Sequence, residues 1–230
     1  MKKYFTPAFV ALLYTPILLT TFEYWFLPFR IERWLNTNVI YSGPTIRAGV
    51  IWGIACVIGY SIIPMIVTKV YFKENLKSIG VSIHDFKKHL PTYLGLYLLM
   101  VIPIFIAAST PGFQHTYPFV PEVKTDFGKF IIWEVAYVCQ FFALESFFRG
   151  YLLMTLEKVV GASLAIGIMV IPYAMIHFHK PAIETFGAIG AGIILGHLSL
   201  KYRTWMGGAV LHSLVAITMD TIAVSRAGLF

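Results

Sequence analysis

The sequence predicts an all-α protein: a polytopic bundle of about seven transmembrane helices. Of its 230 residues, 58% are apolar or aromatic and only 13% are charged, whereas a soluble domain carries about 25% charged residues. Apolar runs of spanning length recur along the chain. Helices are the expected form of these runs, because an open strand edge leaves backbone hydrogen bonds unsatisfied in lipid.

A helix needs about 20 mostly apolar residues to cross the hydrocarbon core of a bilayer. Lys2 and Lys3 precede the first run, as in a signal peptide. No small-residue cleavage site follows, so we expect the first span to be retained. The predicted spans are residues 5–22, 46–70, 90–108, 130–156, 160–177, 183–200 and 205–224.

The net charge of +7 comes from Lys and Arg residues at the ends of apolar runs. That placement indicates membrane topology rather than a nucleic-acid-binding face. With the N-terminus inside, eleven of the 18 Lys and Arg residues fall on the cytoplasmic side. We therefore expect a cytoplasmic N-terminus, an external C-terminus and no nucleic-acid partner.

The polar content divides the chain into two parts. Residues 1–125 form three scaffold helices and most of an outer loop, and residues 126–230 form a core of four helices. An ionisable group at the centre of a spanning helix costs roughly 2.5–3.5 kcal/mol, so such groups pair or line a wet cavity. The core contains Glu134, Glu145, Arg149, His177, Glu184, His197, His212 and Asp220.

The fourth predicted span carries one polar stripe. Glu145 and Arg149 are four residues apart, so they share a helix face and can form an ion pair. Glu134 lies on the same stripe, about 16 Å away along the helix axis. The stripe is consistent with a purely structural ion pair and also with part of a reactive site.

Two histidines lie on other spans. Pro181 predicts that the fifth helix ends near His177, and Gly207 and Gly208 before His212 permit close helix packing. A glutamate with two histidines is a minimal set for activating a water molecule. We expect Glu145, His177 and His212 to meet in a hydrated cavity between the last four spans.

At these residues the chain resembles the CPBP family of intramembrane proteases, which includes the type II CAAX prenyl proteases and the bacterial Abi proteins. The family carries the motifs EExxxR, FxxxH and Hxxx(N/B) on separate helices. They correspond here to Leu144–Arg149, to Tyr173–His177 with Tyr for Phe, and to His212–Ala216. The resemblance covers roughly residues 130–223.

The resemblance implies that Glu145, Arg149, His177 and His212 are catalytic. The chain resembles a divergent member, because the first Glu of EExxxR, which acts as the water-activating base in the family, is Leu144 here. Glu134, Glu184 and Asp220 are candidate substitute or supporting carboxylates. The family leaves two alternatives open: the histidines hold zinc, or they orient water and oxyanion without a metal.

The resemblance therefore implies an intramembrane endopeptidase that acts on membrane-embedded or membrane-anchored proteins or peptides. One alternative is a catalytically inactive relative that binds such partners, which the loss of the first Glu supports. Another is a transporter or lipid-handling protein, since prolines interrupt several spans. The compact size and the family's bacterial members favour a bacterial inner membrane.

Overall fold

The computed structural model describes residues 5–35 and 43–229, so Lys2 and Lys3 lie outside the described residues. Helices dominate this part of the chain, which contains no strand. Short 3₁₀ turns occur at Leu76–Ile79 and Pro121–Lys124. The α-helices are α1 (Pro7–Phe26), α2 (Pro28–Leu35), α3 (Ile46–Tyr71), α4 (Phe86–Ala108), α5 (Pro111–Thr116), α6 (Phe127–Val160), α7 (Ala162–Met175), α8 (Ala182–Tyr202) and α9 (Met206–Arg226).

Six of the described helices are long and apolar enough to cross a bilayer, which confirms the predicted polytopic helix bundle. The fifth predicted span, 160–177, is instead the 14-residue helix α7. At about 1.5 Å per residue it is shorter than the hydrocarbon core. Gly161, with φ +78°, separates it from α6, and a turn that includes His177 follows its last residue.

Helix α6 is the centre of the bundle. Its first half packs against α3 and α9, and its second half packs against α1 and α7. Helix α8 packs along α7 and also contacts α6 near Arg149. Helix α4 completes the bundle by packing on α9. Groups on α6 therefore face several other helices.

Two close helix crossings depend on glycine. A Cβ on Gly53 of α3 would lie 3.1 Å from the Ala136 carbonyl oxygen on α6. A Cβ on Gly207 of α9 would lie 2.0 Å from the Tyr93 ring on α4. Small residues permit such close approaches between membrane helices, and here they bring α3 and α4 onto the central pair α6 and α9.

Ion pairs hold the C-terminal end of α6 against its neighbours. Arg203, just after α8, binds both carboxylate oxygens of Glu157 at 2.8 and 2.9 Å. Lys158 donates to Glu74 at 2.7 Å. The hydrogen bond from Lys158 lowers the pKa of Glu74. These contacts fix the loop after α3 and the end of α8 to the same end of α6.

We predict that Gly207→Ala destabilises the bundle, because the new methyl group would overlap the buried Tyr93 ring. Overpacking of this kind costs about 1–3 kcal/mol. Gly95→Ala on α4 is the matched control, since a Cβ there meets nothing within 4 Å. Thermal unfolding in detergent should show a lower Tm for G207A and a Tm near wild type for G95A. Equal Tm values would contradict this account of the α4–α9 crossing.

Candidate functional site

Glu145, on the central helix α6, is the common partner of two charged or polar side chains. Its side chain is fully buried. Its Oε1 atom lies 3.0 Å from Nη1 of Arg149 and 3.1 Å from Nδ1 of His212. Arg149 is four residues later on the same helix, whereas His212 comes from α9. One carboxylate oxygen thus joins two of the three sequence motifs.

His212 reaches Glu145 because α9 approaches α6 closely at Gly208. A Cβ on Gly208 would lie 3.0 Å from Oε2 of Glu145. The imidazole ring also packs on Phe141, with ring centroids 4.2 Å apart. Glycine one turn before the histidine therefore allows the carboxylate to lie against the α9 backbone.

Arg149 is buried between Glu145 and an aromatic ring. Its guanidinium carbon lies 3.7 Å from the centre of the Tyr173 ring on α7. Its side chain is fully buried. A charge in this position is stabilised by the opposite charge of Glu145 and by the face of the ring. Arg149 therefore links the first motif to the second.

His177 lies in the turn after α7, two residues beyond the end of the helix. Its Nδ1 donates to the Tyr173 carbonyl oxygen at 2.8 Å, because a carbonyl oxygen can only accept. The two rings pack edge to face at 4.9 Å. Thr185 on α8 donates to the His177 carbonyl oxygen at 2.7 Å. The orientation of His177 is therefore fixed from both α7 and α8.

The residues of the three motifs form one packed polar cluster. Arg149 and His212 both interact electrostatically with His177. Glu145 and Arg149 are inaccessible, and His177 is 5% exposed. The His212 side chain, at 16%, is the most accessible of the four. The structure thus places Glu145 in contact with Arg149 and His212 and places His177 within electrostatic range of Arg149 and His212, and the catalytic role of the four residues stays a prediction.

The α6 helix changes its hydrogen bonding at this cluster. A π-type turn occupies Ser146–Leu152, directly after Glu145, and contains Arg149. Further π-type turns occur at Phe22–Phe26, Val57–Ile62 and Val67–Tyr71, so the type of turn does not by itself mark a site. This turn lies opposite α7, which carries Tyr173, and α8.

Leu144 occupies the position at which the family carries its first Glu. The side chain is 5% exposed and belongs to an apolar cluster with Phe148, Met169 and Tyr173. The surroundings of this position therefore match an aliphatic residue. No carboxylate occupies it to assist Glu145.

Glu134 and Asp220 form a second buried acidic group. They interact with each other across α6 and α9. The Trp133 indole N–H donates to Oδ2 of Asp220 at 2.6 Å. Both oxygens of Glu134 and Oδ1 of Asp220 have no donor among the described residues. Adjacent buried carboxylates repel each other when both are charged.

A column of aromatic rings runs between the two polar groups. Trp133 stacks on Tyr137 at 4.7 Å, Tyr137 packs on Phe141 at 4.5 Å, and Phe141 contacts His212. The structure thus groups Glu145, Arg149, His177 and His212 together and groups Glu134 with Asp220. A role for Glu134 or Asp220 as a substitute base stays a prediction.

Glu184, the third candidate carboxylate, lies at the start of α8. Tyr117 donates to both of its oxygens at 2.8 Å, and Lys180 pairs with it at 2.7 Å. Burial raises the pKa of Tyr117 well above its usual range, so the phenol keeps its proton and donates. Glu184 thus connects the segment after α5 to the His177 turn.

Sequence reasoning did not find Tyr117, Trp133 or Lys180 as partners of these acids. Lys180 and Glu184 are four residues apart, which is a detectable signal for an ion pair. Trp133 and Tyr117 carry no such signal, because their partners lie 87 and 67 residues away. Only the packing of α6, α8 and α9 brings these residues together.

The donor set does not fit a zinc ion. Within residues 5–35 and 43–229, no three His, Cys, Asp or Glu side chains are arranged to hold a metal ion together. His177 and His212 offer two imidazole nitrogens, fewer protein ligands than catalytic zinc sites use. Glu145 already contacts Arg149 and His212.

Residues 126–218 match the family model described as type II CAAX prenyl endopeptidase Rce1-like. The matched segment contains all four residues of the packed polar cluster. It confirms the family resemblance for the C-terminal helices. Neither a curated protein nor a solved structure matches the chain significantly.

We predict that Trp133→Phe lowers the stability of the bundle, because it removes the indole donor from the buried Asp220 carboxylate. A buried acceptor left without its donor costs about 1–3 kcal/mol. The control is Trp25→Phe, where the Trp side chain is 50% exposed and the change should be small. Thermal unfolding of both variants checks the difference. An unchanged Tm for W133F would show that Asp220 does not need this bond.

Proposed function

We propose that this chain, an integral membrane protein whose residues 126–218 match the type II CAAX prenyl endopeptidase family, is an intramembrane endopeptidase. Its substrates are membrane-embedded or membrane-anchored proteins or peptides. The reaction is hydrolysis of a peptide bond by water that the packed polar cluster activates at the membrane.

One observation carries this proposal: Oε1 of Glu145 contacts both Arg149 and His212. A structural ion pair needs only Glu145 and Arg149, which already lie on one helix. The additional imidazole from α9 supplies a nitrogen lone pair that can accept a proton and return it. A carboxylate, an imidazole and a fixed cation together support acid–base chemistry.

The residues of the cluster have different roles in this proposal. Arg149 compensates the charge of Glu145 and holds it in place. Glu145 and His212 form the proton-accepting unit for the attacking water. His177, whose Nδ1–H is bound to the Tyr173 carbonyl, presents the lone pair of its other nitrogen and orients the water. Removal of a single such group typically lowers rates by about 10²–10⁴-fold.

The substrate class follows from the membrane setting and from the family. A site on α6, α7 and α9 is reached by a peptide tail held at or within the bilayer. The family suggests a prenylated or sorting-signal tail as that substrate. We further propose a bacterial inner membrane and a cytoplasmic N-terminus, which the distribution of Lys and Arg supports.

A second candidate function is supported by Leu144. Its apolar surroundings supply no carboxylate at the position of the family's base. A relative that binds membrane proteins or peptides without cleaving them would need no base there. The two functions differ in whether a bound peptide is cleaved at the site that contains His212 and Glu145.

We predict that the protein, purified and reconstituted in lipid vesicles, cleaves membrane-anchored reporter peptides. A prenylated C-terminal tail and an unprenylated single-span peptide should be compared, with products identified by mass spectrometry. Glu145→Ala, His177→Ala and His212→Ala should each reduce cleavage by about 10²-fold or more. Each change removes a different contact of the polar cluster.

His197→Ala is the matched control, because His197 is an exposed residue on α8. It should retain the wild-type rate. Unchanged cleavage in all three cluster variants would show that the site is wrong. If the wild type does not cleave, but a membrane protein co-purifies with it and is lost on His177→Ala, the binding function replaces the peptidase.

We predict that single cysteines on opposite loops label from opposite sides of the membrane. His84 is 85% exposed after α3, and Gln114 is exposed in α5. With the N-terminus inside, Gln114→Cys reacts with an impermeant maleimide when only the outer membrane is permeabilised. His84→Cys reacts only after the inner membrane is also lysed. Cys139 should be replaced by Ser in both variants. The reverse pattern would contradict the proposed orientation.

A further inference from the structure

We infer that His212, rather than a carboxylate, is the general base of this chain, and that Glu145 is its positioning residue. This inference rests on the proposed peptidase function and deepens it. The family places a glutamate in the role of the base, at the position that is Leu144 here. The geometry around Glu145 points to a different proton acceptor.

Glu145 is poorly placed to meet water directly. Its side chain has no accessible surface. Arg149 and His212 both contact Oε1, and Oε2 lies against the α9 backbone at Gly208. A carboxylate enclosed in this way can hold and polarise a neighbouring group. Oε2 has no hydrogen-bond partner among the described residues, but it has almost no accessible surface through which a substrate water could reach it.

His212 lies on the accessible side of the same contact. Its side chain is 16% exposed. Since the Glu145 carboxylate accepts the hydrogen bond from Nδ1, the proton of the neutral ring is on Nδ1, and the lone pair is on Nε2. That lone pair is on the ring edge away from Glu145. A carboxylate behind an imidazole fixes its tautomer and stabilises the imidazolium that forms when Nε2 takes a proton.

His177 has the same tautomer but a different partner. Its Nδ1–H binds the neutral Tyr173 carbonyl oxygen, which compensates an imidazolium charge much less than a carboxylate does. Lys180 and Arg149 act electrostatically as positive charges on both imidazoles, so the carboxylate behind His212 is what distinguishes the two. Of the two imidazoles, His212 is therefore the better proton acceptor. His177 accepts a hydrogen bond from the water and orients it.

The resulting step balances without any further reagent. Nε2 of His212 takes one proton from water as the water oxygen bonds to the scissile carbonyl carbon. The tetrahedral intermediate collapses, the C–N bond breaks, and Nε2–H returns the proton to the leaving nitrogen. The products are a carboxylic acid and an amine, and His212 is again neutral.

The test compares His212→Asn with Glu145→Gln in the reconstituted protein. Asparagine keeps an amide N–H near the position of Nδ1 and lacks Nε2, so it preserves the contact with Glu145 but removes the base. We expect kcat to fall by about 10²–10⁴-fold, with KM within threefold of wild type. His212→Gln, which places its amide near Nε2, is a second variant with the same expected loss. His197→Gln is the control.

Glu145→Gln keeps an acceptor for Nδ1–H but no longer stabilises the imidazolium. We expect a smaller loss of kcat, about 10–100-fold, and an acid limb of the pH–rate profile that moves to lower pH. The other groups that act on His212 are Arg149, Lys180 and His177, and they are unchanged in this variant. A role in folding alone would lower kcat without moving the limb.

The outcomes separate this inference from the proposed function. If His212→Asn and His212→Gln keep kcat within threefold while Glu145→Gln abolishes cleavage, Glu145 is the base and the inference is wrong. If Glu145→Gln leaves the acid limb in place, Glu145 does not act through His212. If the wild type cleaves no membrane-anchored peptide, the peptidase function itself fails.

Discussion

The contact of Glu145 with Arg149 and His212 is the interaction on which the arrangement of the core helices depends. In a medium that solvates ions poorly, a buried carboxylate needs its charge compensated by neighbours. Arg149 supplies the positive charge from the same helix, and His212 supplies a hydrogen-bond donor from α9. The α6–α9 crossing at Gly208 and the ring of Tyr173 on Arg149 follow from the same need. The set of contacts that compensates the charge of Glu145 is therefore complete only when α9 packs closely against α6.

The replacement of the family's first Glu by Leu144 changes how the same cluster can work. Leu144 belongs to an apolar cluster and brings no second carboxylate to Glu145. Arg149 and His212 both contact one oxygen of Glu145. The carboxylate lies behind an imidazole, an arrangement that serine hydrolases use to activate a nucleophile. The proposed peptidase function depends on this arrangement.

Three further acids, Glu134, Asp220 and Glu184, lie outside this cluster and contact residues of neighbouring segments. The Glu134–Asp220 pair is anchored by Trp133, and Glu184 binds Tyr117 and Lys180. The column of aromatic rings from Trp133 to Phe141 separates the Glu134–Asp220 pair from the Glu145 cluster. Carboxylates that share one stripe of α6 in sequence therefore have different environments in the fold.

The amino-acid sequence by itself determined the membrane-spanning class and the approximate bounds of the long helices, because apolar runs of spanning length are local patterns. The spacing of Glu145 and Arg149 predicted their ion pair, and the family motifs added His177 and His212 as candidate site residues. The sequence overestimated the length of α7. The helix ends at Met175, where the His177 turn begins and contacts α8.

Only the tertiary structure decided which oxygen of Glu145 each partner binds, which imidazole has a carboxylate behind it, and how Glu134 and Asp220 are paired. Each of these depends on contacts between helices that lie far apart in the chain. Spacing along one helix gives the face on which a residue lies. It cannot give the residue that faces it from another helix, because that depends on how closely the helices approach, as at Gly53, Gly207 and Gly208.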